Sequence, residues 1–66
     1  MPYVNIQVTD ENVTTEQKAQ LIQATTKMLE DILAKPPSST FVVIEEVPLE
    51  NWGFGGVSVA ELRKRK

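Results

Sequence analysis

One helix-forming stretch stands between two β-patterned runs, and that order limits the chain more than any other feature. Residues 2–9 alternate, with Val4, Ile6 and Val8 on one face and Tyr3, Asn5 and Gln7 on the other. Period two marks a strand with one face on a core. Asp10, Glu11 and Asn12 form a polar loop. Thr14 and Gln17 fit a capping box, with Thr14 as N-cap, so a helix is expected over residues 15–33. Its apolar stripe is Leu21, Ile22, Thr25, Met28, Leu29, Ile32 and Leu33, at spacings of three and four. Pro36 and Pro37 stop it. Residues 40–46 are β-branched and aromatic and nearly continuously apolar, which predicts a second strand buried on both faces. A strand, a helix and a strand in sequence make one β-α-β unit, whose strands are parallel and whose crossover is right-handed.

Such a unit is incomplete. Its helix covers one face of a two-stranded sheet, and both strand edges stay bare. The chain has 66 residues and no Cys or His, so one domain over residues 1–66 is expected, without a disulfide. A chain this short rarely balances its ordering entropy with its own core. Association with further copies is the remaining route. After the second strand, residues 48–51 form a turn, and Gly53, Gly55 and Gly56 punctuate a short hairpin around Phe54. Residues 58–64 add either a last strand or a short helical turn.

The chemistry must do without imidazole and thiol, which removes the usual hydrolase nucleophiles and a soft-ligand metal site; no metal and no cofactor are expected. Pro2 supplies an alternative. Once Met1 is removed, its nitrogen is a secondary amine. An N-terminal α-amine titrates near ~7.7–8.0, close to working pH, as a general acid–base group should. The same dipeptide also opens proteins in which the proline merely begins a strand. The net charge of −2 argues against nucleic acid, and the basic run at residues 63–66 reads as a solvated tail. No apolar run approaches the length of a membrane span, and no export signal is visible. The expected location is therefore cytoplasmic, with no membrane partner.

These pieces resemble the 4-oxalocrotonate tautomerase family. The resemblance rests on Met1-Pro2 before an alternating strand, Thr14 with Glu16-Gln17-Lys18 opening the helix, Val43-Ile44-Glu45-Glu46 closing the second strand, and Trp52-Gly53-Phe54-Gly55-Gly56. It implies an α/β subunit of β-α-β type with a parallel strand pair and a C-terminal β-hairpin. It also implies a homohexamer built as a trimer of dimers. The implied activity is that of a keto-enol tautomerase, an isomerase in which the Pro2 amine is the base. The substrate is a small 2-hydroxy-dienoate or enol carboxylic acid. Trp52 stands at the family's aromatic active-site position, with Phe54, Ile6 and Val43 as further apolar neighbours of the amine. All four are equally ordinary core or interface residues.

The family's two arginines fall on Asn12 or Val13 and on Phe41, and no Arg precedes Arg63. A dicarboxylate would lack the bidentate guanidinium clamp. A monoacid, or a substrate whose aromatic tail meets Phe41, fits better. Arg63 from a neighbouring subunit is the first replacement cation, ahead of the backbone N–H groups at Gly53–Gly56 and the Asn51 amide. Lys35 is explained by the helix dipole alone. A second reading stays open: an oligomeric scaffold of the same fold, catalytically inactive, binding a small apolar acid between subunits.

Overall fold

The computed structural model describes Met1–Arg65; Lys66, the last residue of the basic run, lies outside the described residues. The order is β1 (Tyr3–Thr9), α1 (Thr15–Leu33), β2 (Phe41–Val47), β3 (Gly53–Phe54), β4 (Val57–Ser58) and α2 (Val59–Lys64), with single 3₁₀ turns at Pro37–Ser39 and Leu49–Asn51. Strands β1 and β2 pair in parallel, from Tyr3 opposite Phe41 to Thr9 opposite Val47. Strands β3 and β4 form a separate antiparallel pair.

The capping box is complete. The Thr14 hydroxyl accepts from the Gln17 N–H at 3.0 Å, and the Gln17 side chain accepts from the Thr14 N–H at 2.9 Å. Thr14→Ala is expected to cost about 1 kcal/mol, read by chemical denaturation at fixed protein concentration. At the far end Ala34 takes the left-handed conformation and its N–H closes on the Glu30 carbonyl, before the prolines bar continuation.

Helix α1 covers one face of the sheet. Val4, Ile6, Val8, Val42 and Ile44 are half-buried, as are Thr25 and Leu29 of the helix. The last position on the covered face of β2 is Glu46, which meets Lys18 Nζ at 3.1 Å. Tyr3, Asn5, Gln7, Phe41, Val43 and Glu45 lie exposed on the open face. There the Asn5 and Gln7 amides donate to the Glu45 carboxylate at 3.0 and 3.1 Å. Those bonds, Gln7's first and then Asn5's, hold the Glu45 carboxyl below its ordinary pKa.

The expectation that β2 is buried on both faces needs correction for the single subunit: Phe41 is 51% and Val43 41% exposed. A continuous apolar run signals two covered faces, but one chain supplies only one covering layer. The α1 stripe is likewise wider than the sheet beneath it, leaving Ile32 73% exposed. No described hydrophobic residue is fully buried.

The hairpin turns on Gly55 (φ 62°) and Gly56 (φ 84°), the paired positive φ values of a two-residue type I′ loop. The choice left open for residues 58–64 resolves as a helix. Ser58 caps α2 by accepting from the Glu61 N–H at 3.1 Å, and the Val59 N–H bonds the Trp52 carbonyl at 2.8 Å. Among the described residues no helix is long and apolar enough to cross a membrane.

Candidate active site

Pro2 immediately precedes β1. It is half-buried, and its carbonyl accepts a hydrogen bond from the Phe41 N–H at 3.0 Å. In a parallel pair both strands begin at the same end, so Pro2, Tyr3 and Phe41 share it. The descending helix returns the chain to this end, with Lys35 just beyond its last turn.

The other expected site residues lie elsewhere. Trp52, Phe54 and Arg63 follow the C-terminal end of β2. β1 alone separates the two ends, and seven residues at ~3.3 Å each span roughly 23 Å. The five expected site residues therefore form two groups within one subunit: Pro2 with Phe41, and Trp52 with Phe54 and Arg63. Ile6 and Val43 do not share a wall, since Ile6 lies on the covered face and Val43 on the open one.

Arg63 is engaged in its own chain. Its Nη1 meets Glu11 Oε1, and its Nη2 donates to Glu11 Oε2 at 3.1 Å. The Thr9 hydroxyl donates to the same carboxylate. The Arg63 hydrogen bond first, then that from Thr9, holds the Glu11 carboxyl down to about 2. The pair is solvent-exposed, so its direct contribution to stability is small. Glu11 carried no signal of this role in the sequence, because its partner is 52 positions away.

The Trp52 indole Nε1 is buried with no hydrogen-bond partner. Phe54 is 76% exposed at the hairpin. Asn51 is exposed, and its backbone N–H closes the turn on the Pro48 carbonyl at 2.8 Å. An open groove of about 460 Å³ runs between Val8, Val13 and the Gln17, Gln20, Leu21 and Ala24 positions of α1, and it contains none of the expected site residues. Among the described residues no cluster of His, Cys, Asp or Glu is arranged to hold a metal.

The architecture is a β-α-β subunit with a parallel strand pair, a glycine hairpin and a proline at the mouth of its first strand. Residues 2–62 match the family model described as tautomerase enzyme. A probable tautomerase of Dickeya dadantii is 52% identical over 65 residues, covering 98% of this chain and 97% of that one. A 2-hydroxymuconate tautomerase of Comamonas testosteroni is 39% identical, over 94% of this chain and 97% of its own. A heterohexameric 4-oxalocrotonate tautomerase from Chloroflexus aurantiacus superposes with a TM-score of 0.83 at 36% identity, covering 96% of this chain and all of that one. The chain belongs to the tautomerase family. It is an isomerase, and relatives that are named as enzymes do not favour an inactive scaffold.

Proposed function

We propose that this chain, once Met1 is removed, is a keto-enol tautomerase that moves a proton through the Pro2 amine on a small enol carboxylic acid. The observation that carries the reading is the fixed position of Pro2. Its carbonyl is tied to the Phe41 N–H and its ring is half-buried at the start of the sheet. The freed nitrogen would stand at the end of the sheet where β1 and β2 both begin. The neutral amine takes the enol proton and returns it to a carbon of the conjugated system, so that the enol becomes a ketone with no net gain or loss of protons. An amine with pKa near ~8 is roughly one-tenth neutral at pH 7. Apolar surroundings raise that fraction.

The site is completed by a second copy. Antiparallel pairing of an edge strand with its two-fold mate sets the start of one strand beside the end of the other. That arrangement carries Trp52, Phe54 and Arg63 of one subunit toward Pro2 and Phe41 of the next. Trp52 and Phe54 then wall the amine, and Arg63 meets the substrate carboxylate. The bare α1 stripe and open sheet face support further association into a homohexamer, a trimer of dimers, and the Chloroflexus relative is itself hexameric.

The test is turnover by the processed, assembled protein, with Met1 removal verified by intact mass. Phenylenolpyruvate (one carboxylate) and 2-hydroxymuconate (two) are the probes. Ketone formation above the solution rate is expected for both, with the monoacid preferred. No turnover of either would overturn the reading.

A further inference from the structure

Glu11 is more firmly held than a surface carboxylate usually is. Thr9, the last residue of β1, donates to it from one side, and Arg63 of α2 grips it from the other through both terminal nitrogens. One end of this arrangement is anchored in the sheet, and the other belongs to the C-terminal arm that also carries Trp52. The carboxyl is anionic across the whole working range, since its pKa lies at about 2.

The consequence is one of charge. A bidentate carboxylate uses one N–H of each Arg63 terminal nitrogen. The Nε–H and the outward N–H beside it remain, and they suffice to hold one further carboxylate side-on. The guanidinium's charge, however, is already neutralised. Asp10 adjoins Glu11, so the only two charges on the loop between β1 and α1 are both negative. A substrate with one carboxylate meets hydrogen-bond donors on a neutral pair. A substrate with a second carboxylate gains no net attraction for it from this neutral pair.

We propose that Glu11 is a specificity-determining residue: by pairing with Arg63 it selects monoanionic enol acids over dianionic ones. This rests on the reading above, in which Arg63 serves the Pro2 site of a neighbouring subunit. Glu11 itself touches no reacting atom and acts through Arg63.

The single Trp allows a test that needs no turnover. Trp52 fluorescence is titrated with hexanoate and with adipate, a mono- and a dicarboxylate of equal chain length. The processed wild-type assembly is compared with Glu11→Gln and Arg63→Ala. Glu11→Gln keeps an acceptor for Thr9 but restores the free positive charge. It should improve adipate affinity relative to hexanoate by about fivefold or more, the size expected for one unit charge near a site of intermediate dielectric. The gain should shrink in high salt, which screens a field but not a lost packing contact. Arg63→Ala leaves Glu11 unneutralised and should move the ratio about fivefold the other way.

In turnover, the Glu11→Gln gain should appear as a lower KM for 2-hydroxymuconate against phenylenolpyruvate, with kcat little changed. If Glu11→Gln does not assemble, the Arg63→Ala ratio decides alone. An unchanged adipate-to-hexanoate ratio in the assembled variants, or no saturable binding of either acid by the wild type, overturns the proposal. A shifted binding ratio without turnover by the wild type would retain it and refute only the tautomerase reading.

Discussion

A chain that keeps Met1 is expected to lose turnover by 10²- to 10⁴-fold, the usual contribution of a positioned general base. The acylated nitrogen of Pro2 is then an amide, with no basic lone pair. Nothing else need change: β1 begins one residue later, and the Pro2 carbonyl keeps its bond to the Phe41 N–H. Blocking the amine thus separates base from scaffold more cleanly than Pro2→Ala does. An alanine at position 2 still ends in an amine after methionine removal, so that variant should retain part of the rate. Its primary amine lacks the ring that fixes the direction of the lone pair. A loss of about tenfold to a hundredfold is expected, below the full value of a general base. The pH profile gives the sign. The base works only when neutral, so kcat/KM should fall as pH drops through the amine's pKa. The midpoint should lie at or below ~7.7, because apolar neighbours disfavour the charged form. A Met1-bearing sample as active as the processed one would rule out the amine.

Most of the subunit's fold was legible in the sequence because its signals are local. The capping pair Thr14 and Gln17 sets the start of α1 within three residues, and Pro36 sets its end. Alternation of Val4, Ile6 and Val8 against Asn5 and Gln7 gives β1 its covered face. Gly55 and Gly56 supply two consecutive positive φ values that other residues rarely adopt. The illegible features join distant positions. Glu46 closes the covered face of a largely apolar strand, and its partner Lys18 lies on the helix above it. Glu11 reads as one more loop acid until α2 brings Arg63 beside it. The candidate site was legible as a set of residue types but not as a geometry. Pro2 and Phe41 share one end of the sheet by the rule of parallel pairing, yet nothing local shows Trp52, Phe54 and Arg63 standing at the other end.

That separation makes assembly the second large effect. The single subunit leaves Ile32 73%, Phe54 76%, Tyr3 63% and Leu33 55% exposed, with no described hydrophobic fully buried. At about 25 cal/mol per Å² of apolar surface, such a chain gains too little alone to offset its ordering entropy. Folding and association should therefore be one transition. The midpoint of thermal unfolding should rise with protein concentration, as mass action requires when the native state is an oligomer. Phe54→Asp is the severe case. It places a charge where the hairpin is expected to meet a neighbour, and a buried unpaired charge costs several kcal/mol. Because Phe54 is exposed in the isolated subunit, the same change should cost little there. Sedimentation at micromolar concentration should show the wild type as one large species and Phe54→Asp as a dissociated, largely unfolded chain without turnover. A variant that stays assembled and active would place Phe54 outside both the interface and the site. If the wild type itself sediments as a folded monomer, Pro2 and Trp52 would remain at opposite ends of β1, and the composite site would fall with the assembly.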